Sequence, residues 1–230
     1  MQNNILRKST QKKLYGILIT CIFLCILSKT IWAAPPQKDS TITTYTDGMF
    51  STYSQVIVPC SVTTAEQVLD DFIAQFRGDP DLLFEWALRD LGVQEDDDLV
   101  IDLQKTIYDP ETGIGVIVTD LIIPGLTTFE DITIESKITK TYMQNKTVKV
   151  FVDVYNLNYF MKKAFGTFYI IPLANNQVML AIDVHMKFGW FFNLFVTQSI
   201  YKSVFEWRIQ GFMNNMRKEM IRRTIEGDIK

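Results

Sequence analysis

Histidine and cysteine are scarce in this sequence, and each shortage excludes a class of site. The 230 residues include one histidine, His185, and three cysteines. One imidazole can form neither a His-rich metal site nor a pair of acid–base histidines. Two cysteines lie in an apolar N-terminal stretch, so Cys60 is the one thiol in the rest of the chain. The fold is therefore expected to depend on a hydrophobic core and not on an internal disulfide.

Basic charge is also in short supply. The chain carries 23 Lys and Arg residues against 26 Asp and Glu residues, a formal net charge of −3. Proteins that bind nucleic acid neutralise its phosphates with a basic surface. We therefore exclude nucleic acid as a partner. The sequence shows no internal repeat and no low-complexity tract, and its length suits one main domain.

The N-terminus has the order of features found in a secretory signal. Four basic residues precede an apolar run over 14–27, and Ala33 follows it. The run spans about 14 residues, fewer than the ~20 that cross a bilayer. Residues 1–33 are therefore predicted to be a signal peptide, which makes the protein periplasmic or secreted. Because Lys29 and Trp32 are unusual near a cleavage site, an N-terminal membrane anchor is the alternative.

A polar linker, one strand and two short helices are predicted next. Residues 34–48 are rich in Thr and Ser and are expected to be a linker, so the domain is placed at 49–230. The strand at 50–58 alternates apolar and polar side chains. One helix is expected to begin at Thr63 or Thr64 and to end at Gly78. The second is expected to begin at Asp79-Pro80 and to end at Gly92.

The period of the apolar residues changes to two from Leu99 onward, which predicts a series of antiparallel strands. Turn residues at 109–113, 124–125, 144–146 and 175–176 separate them, and a partly helical link is expected at 158–164. In the last strand, 178–188, every even position is apolar. The odd positions include Asp183 and His185, so the even face is expected to point inward and the odd face outward.

The last third of the chain, from about 193 to 226, is predicted to be one long helix. Phe205, Ile209, Phe212, Met216 and Met220 recur at the spacing of a single helical face. Aromatic and thioether side chains fill irregular space because they are large or flexible. Such a helix can close a cavity as well as a solid core.

The strand that ends in Val-His-Met-Lys-Phe-Gly-Trp190 passes through an aromatic turn into the helix that contains Lys-Ser-Val-Phe-Glu-Trp-Arg208. Together with the order strand, two helices, several strands and one long helix, this resembles the START-like (SRPBCC, Bet v 1-like) superfamily. The resemblance covers 50–226. It implies an α+β helix-grip fold, in which a curved antiparallel sheet wraps a long C-terminal helix around an apolar cavity. Members of the superfamily include lipid-transfer domains, birch-pollen-type allergens and polyketide cyclases.

The candidate ligand-binding residues face this expected cavity. They are Phe205, Ile209, Phe212 and Met216 on the helix, with Val150, Val152, Ile182, Val184 and Met186 on the strands. A second group, just before the helix, is interpreted as a rim or lid that could touch a membrane, because Trp and Phe suit a bilayer interface. That group is Trp190, Phe191, Phe192 and Phe195. A core filled by the first group, without a cavity, is the alternative.

No catalytic residue, metal site or cofactor is predicted. Asp183 and His185 share one strand face, but that face is expected to point outward. Cys60 has no neighbouring group that would lower its pKa. Gly113-Ile-Gly115 lacks the following helix of a phosphate loop, and the acidic run at 95–98 lacks the spacing of a calcium loop.

The leading functional hypothesis is an exported binding or carrier protein for a lipid, sterol or other polycyclic apolar ligand, with possible peripheral membrane contact. One alternative is a cyclase- or hydratase-type enzyme on the same fold, in which Tyr53, Tyr142 or Asp120 would orient a substrate. Another is a structural or protein-binding module with a solid core, whose aromatic patch at 190–195 is covered by a partner.

Overall fold

The computed structural model describes residues 39–76, 81–92, 99–156 and 160–228, all within the unit Lys38–Lys230. The predicted signal peptide lies outside these residues. The strands are β1 Ser40–Thr46, β2 Met49–Val58, β3 Val100–Asp109, β4 Ile114–Ile123, β5 Thr127–Tyr142, β6 Val148–Val154, β7 Met161–Leu173 and β8 Gln177–Phe188. The helices are α1 Val62–Gln75, α2 Asp81–Phe84, α3 Gln198–Tyr201 and α4 Trp207–Asp228.

The eight strands form one antiparallel sheet in the order β1-β2-β8-β7-β6-β5-β4-β3. Strands β3 to β8 follow one another as hairpins, and the connection through α1 and α2 carries the chain from β2 to the far edge. Register shifts within β3–β4, β4–β5 and β7–β8 introduce bulges, which bend a sheet. The curved sheet with its long C-terminal helix is the helix-grip architecture predicted from the sequence.

Turn chemistry explains why the hairpins fall where the sequence predicts them. Asn175 and Asn176 both have positive φ, 59° and 53°, in the three-residue turn between the paired residues Leu173 and Gln177, and asparagine tolerates this conformation. Gly113 also has a positive φ, and a Cβ atom there would lie 2.7 Å from the carbonyl oxygen of Ile138. Glycine is therefore required at that position, where the turn at 109–113 closely approaches the backbone of β5.

The predicted linker is wrong at Ser40–Thr46, which is the edge strand β1. Threonines suit a strand, and here their hydroxyls pair across it. Thr41 lies 2.8 Å from Ser54 and Thr43 lies 2.9 Å from Thr52, oxygen to oxygen. The link expected at 158–164 is also wrong from Met161 onward, because β7 begins there and pairs with the end of β8.

The second predicted helix is wrong beyond Phe84, where turns replace it as far as Asp90. Side chains of α4 bind the carbonyl oxygens of this segment. Arg208 donates to Leu91 and Gly92 at 3.0 Å each, and Asn215 donates to Ala87 at 3.2 Å and Arg89 at 2.9 Å. These bonds satisfy carbonyl groups that would otherwise need a helix.

The C-terminal helix begins at Gln198 and not at Asn193. A 3₁₀ turn, Phe192–Leu194, precedes it, and the side chain of Thr197 caps its first turn by accepting from the amide of Ile200 at 3.3 Å. A π-helical segment, Lys202–Glu206, connects α3 to α4. Among the described residues, no helix is both long and apolar enough to span a membrane.

The hydrophobic core consists of two clusters. The first joins α1 and the middle of α4 to the centre of the sheet, and includes Val58, Val68, Met213, Met216 and Met220. The second joins the start of the C-terminal helix to the other end of the sheet, and includes Phe50, Phe188, Phe192, Tyr201 and Val204. The rings of Phe50 and Tyr201 stack with centroids 4.1 Å apart.

The outward face predicted for β8 is wrong at its beginning. Met179 and Ala181 are buried, because that face carries large neighbours there. Ile57 and Ile171 pair with Met179, and Tyr169 pairs with Ala181. Farther along β8, the odd positions Asp183, His185 and Lys187 are only partly buried.

Candidate functional site

An apolar pocket of about 240 Å³ lies against the inner face of β6, β7 and β8. Four of the predicted ligand-binding residues line it. They are Val152, Ile182, Val184 and Met186, joined by Val154, Ala164, Gly166 and Phe168. Val152, Ile182, Val184 and Met186 are half-buried, so the pocket is open to solvent on one side.

Gly166 is the reason for a hollow at this place. The register sets Gly166 directly between Val152 and Val184 on neighbouring strands. With no side chain on β7 there, the two valines flank an empty position. A Cβ atom at Gly166 would meet Val184 at an ordinary 3.6 Å. Glycine is therefore not needed for the backbone, and a glycine inside a strand commonly marks close approach of another group. The sequence carried this signal, but the prediction did not use it.

The C-terminal helix does not cover the pocket because it lies over β2 and packs against α1. Thr52 and Ser54, the register partners of Val184 and Ile182, are buried on β2. The hydroxyl of Tyr201 lies 3.0 Å from that of Thr52. Burial is the main cause that raises the pKa of Tyr201, while its bond to Thr52 acts in the opposite direction.

The helix residues of the predicted site do not line the pocket. Phe212 contacts Phe168 with ring centroids 6.4 Å apart, and Phe205 contacts Phe188 at 5.7 Å. Met216 and Val150 are buried in the first core cluster, and Ile209 is half-buried on α4. Phe168 belongs to the first cluster and Met186 packs against the second, so the pocket lies between them.

The side chains that project into the pocket are apolar, so they can contact a ligand but cannot form hydrogen bonds with it. The two polar residues at its edge, Thr167 and His185, occupy odd positions whose side chains project from the opposite face of the sheet. None of the three polar residues considered for an enzyme reaches it. Tyr53 bonds Gln55 on that opposite face, Tyr142 is an exposed partner of Glu66, and Asp120 binds Gln104 and the amide of Asp131.

Of the four residues predicted as a rim or lid, three are at least partly exposed and Phe192 is buried. The 3₁₀ turn directs Phe192 into the second core cluster, where it contacts Phe188 with centroids 5.5 Å apart. Trp190 is exposed, and Phe191 and Phe195 are half-buried. These three side chains lie beyond the end of β8 and do not line the pocket.

A Ser–His–Asp arrangement lies on the opposite face of the sheet. His185 Nε2 is 3.0 Å from Asp183 Oδ1, and its Nδ1 is 2.8 Å from the hydroxyl of Ser51. In the neutral tautomer that donates from Nε2 to Asp183, Nδ1 is the acceptor for the Ser51 hydroxyl. Ser51 lies on a strand paired on both sides, so its surroundings lack the free amide donors of an oxyanion hole. Ser51 was not among the predicted candidates, because only the pairing of β2 with β8 brings it next to His185.

Within 39–76, 81–92, 99–156 and 160–228, no three His, Cys, Asp or Glu side chains come together as metal ligands. The acidic run at 95–98 lies outside these residues. Burial raises the pKa of Cys60 to about 11, so its thiol is protonated at neutral pH.

Comparisons with known proteins found no matching protein family profile and no curated relative. The chain is similar in structure to norcoclaurine synthase from Thalictrum flavum, with TM-score 0.45 and 14% identity over 81% of this chain and 89% of that one. It is similar to a STAR-related lipid transfer protein from Xanthomonas axonopodis, with TM-score 0.46 and 13% identity over 79% and 98%. It is also similar to the Zhui aromatase/cyclase from Streptomyces sp. R1128, with TM-score 0.48 and 13% identity over 76% and 95%.

Proposed function

We propose that the protein is an exported carrier that holds a small apolar ligand against the inner face of β6, β7 and β8. The observation that supports this most directly is the empty position at Gly166, between Val152 and Val184. A solid core would fill such a position with a side chain, because protein interiors are close-packed. The inward side chains that line the pocket are apolar, which favours binding over chemistry.

The volume of the pocket limits the size of the ligand that it can hold. Its volume of about 240 Å³ exceeds the ~150 Å³ of an engineered cavity that binds benzene, and is below the ~300–1,000 Å³ of drug-sized sites. A small fused-ring system or one acyl chain suits this volume. A whole sterol or phospholipid would place only part of its apolar surface inside and the remainder at the open side.

Ligand binding is tested with naphthalene and a series of saturated fatty acids as probes, by calorimetry and thermal shift. Gly166→Leu is the test variant, because its side chain would project into the pocket from a backbone that tolerates a Cβ atom. Gly227→Leu is the matched control, since a Cβ atom at Gly227 meets nothing within 4 Å.

The wild-type protein and Gly227→Leu are expected to bind the probes, with affinity rising along the fatty-acid series until the pocket is filled. Gly166→Leu is expected to lose binding by at least about tenfold, because its apolar side chain occupies the site. Equal affinity of all three proteins would place the probes elsewhere and contradict the proposal, as would no binding by the wild type.

The export part of the proposal rests on the basic, apolar and small-residue order of the first 33 residues. It is tested by N-terminal sequencing of the protein isolated from its own host. A start near residue 34 would support cleavage and export. An intact N-terminus in a membrane fraction would instead support the anchor.

A further inference from the structure

Two separate turns bring large apolar side chains into solvent at the same end of the sheet. Leu126, in the turn between β4 and β5, is 61% exposed. Trp190 and Leu194, between β8 and α3, are 70% and 67% exposed. We refer to Leu126, Trp190 and Leu194 as the apolar tip.

The apolar tip rests on an ordered aromatic base. Phe129, near the start of β5, contacts Phe160 with ring centroids 4.7 Å apart and Phe191 at 6.1 Å. Phe191 in turn contacts Trp190 at 5.9 Å. These ring contacts join β5, just after the turn that holds Leu126, to the segment that holds Trp190.

Basic side chains lie on the Trp190 side of the apolar tip. No Asp or Glu occurs between Lys187 and Glu206, or between Asp153 and Asp183. Lys162 and Lys163 are exposed at the start of β7, which pairs with the end of β8. Lys202 is exposed in the helical segment that follows the tip.

Acidic side chains lie on the Leu126 side of this end, where Asp120 on β4 accepts from the amide of Asp131 on β5 and pairs in register with Asp102 on β3. Glu130 follows Phe129 on β5 and projects from the other face of that strand. Asp47, in the turn between β1 and β2, lies beside Lys187, whose ammonium donates to its carbonyl oxygen at 2.8 Å. The exposed lysines therefore flank the Trp190 side of the apolar tip, and the acidic groups lie mainly on the Leu126 side.

We propose that the apolar tip docks onto an anionic phospholipid bilayer. Trp and Leu side chains enter the boundary between headgroups and acyl chains to a depth of roughly 5–10 Å, and flanking lysines are attracted to anionic headgroups. Three protruding side chains suit that shallow insertion. A stable protein interface instead buries about 800 Å² on each partner.

Docking in this way brings the pocket close to the bilayer. Met161 pairs with Phe188 at the end of β8 beside the tip, and Ala164 pairs with the pocket residue Met186 two positions farther along β8. Bilayer docking does not depend on the proposed ligand. It can therefore be tested separately.

The test measures quenching of tryptophan fluorescence in the full chain by vesicles with brominated acyl chains. One vesicle preparation contains phosphatidylcholine alone, and the other includes about a third phosphatidylglycerol. The quenching of Trp190 is obtained by subtracting the signal of Trp190→Phe from that of the wild type. This difference reports on Trp190 alone, whether or not the N-terminus also binds the vesicles. Leu126→Ser with Leu194→Ser is the test variant. Met143→Ser, an exposed apolar residue in the turn after β5, is the control.

Anionic vesicles are expected to quench Trp190 in the wild type and in Met143→Ser, and the vesicle concentration for half quenching is expected to rise about tenfold or more in Leu126→Ser/Leu194→Ser. Lys162→Glu with Lys202→Glu is expected to weaken quenching similarly, and added salt to reduce it in the wild type. The absence of Trp190-specific quenching would overturn the proposal. Equal quenching by neutral and anionic vesicles would overturn the role of the lysines. Neither result would bear on the pocket, which is tested through Gly166→Leu.

Discussion

The carboxyl group of Glu219 receives hydrogen bonds from two arginines of the same helix. Arg222 donates to its two oxygens at 2.7 and 2.8 Å, and Arg223 donates at 2.8 Å. The hydrogen bond from Arg222 is the main cause that lowers the pKa of Glu219 to about 2, while burial opposes it and Arg223 adds to it. The group therefore favours the folded state while it is ionised.

The stability contribution of Glu219 is expected to depend on pH. Its pKa in the folded state is depressed, so the contribution is present above the ordinary value of 4.5 and is lost as pH falls towards 2. Because Arg222 is largely exposed, solvent screening reduces the effect, and Glu219→Gln is expected to lower the free energy of unfolding by about 1 kcal/mol at pH 7.

Urea denaturation of Glu219→Gln and the wild type between pH 7 and pH 2 checks this expectation. The two free energies of unfolding are expected to converge towards the acid end. Glu111→Gln, at an exposed turn carboxylate, is the control. A difference that is constant with pH would show that the substitution acts through packing and not through ionisation.

Single residues also explain why part of the site could not be predicted. Spacing alone identified Val152, Ile182, Val184 and Met186, because alternation on a strand fixes which side chains share a face. It could not show that Gly166 lies between Val152 and Val184, since that depends on the register of three strands. Register is a property of the assembled sheet.

At the scale of elements, turn residues in the sequence determine where the hairpins lie. Long-range contacts determine where the short helices end. The strand β4 has the bounds expected from the sequence, 114–123, because turn residues flank it on both sides. The end of α2 at Phe84 could not be predicted, because the segment that follows it has carbonyl groups, those of Ala87 and Leu91, that are bound by Asn215 and Arg208 more than a hundred residues later.

The start of α1 shows how one local contact supports an element. Ser61 caps the helix, and its hydroxyl accepts from the amide of Thr64 at 3.0 Å. Ser61→Ala is expected to lower the free energy of unfolding by about 1 kcal/mol, because that amide loses its partner. Ser61→Asp is expected to retain most of the stability, since a carboxylate also caps a helix.

Thermal and urea denaturation of both variants check the cap, with Thr63→Ala at an exposed first-turn position as the control. If Ser61→Asp loses as much stability as Ser61→Ala, the serine is required for packing and not as a cap.

At the scale of the whole molecule, the sequence predicted the architecture but not where the helix would lie. The apolar stripe from Phe205 to Met220 indicated a helical face that must be covered, and the side chains of that face pack into the two core clusters. The stripe did not show that β2 and α1 would receive it, which leaves the pocket on the neighbouring strands. An amphipathic pattern specifies a buried face and not its partner.

The first core cluster joins elements from both ends of the chain, so it should report global unfolding. Cys60 lies in this cluster together with Met216, and both are fully buried. Burial raises the pKa of the Cys60 thiol to about 11, so the reactive thiolate is rare while the protein is folded. Labelling of Cys60 by a thiol reagent should therefore require the cluster to open.

When refolding is faster than labelling, the rate of labelling follows the free energy of unfolding. Met216→Ala removes a buried side chain at a typical cost of about 2–5 kcal/mol, so Cys60 is expected to react at least about thirty times faster than in the wild type. Met143→Ala, at an exposed position, is expected to leave the rate unchanged. Peptide mass spectrometry resolves Cys60 from Cys21 and Cys25. An unchanged rate in Met216→Ala would mean that Cys60 is reached by local opening, and that helix and sheet do not unfold as one unit around it.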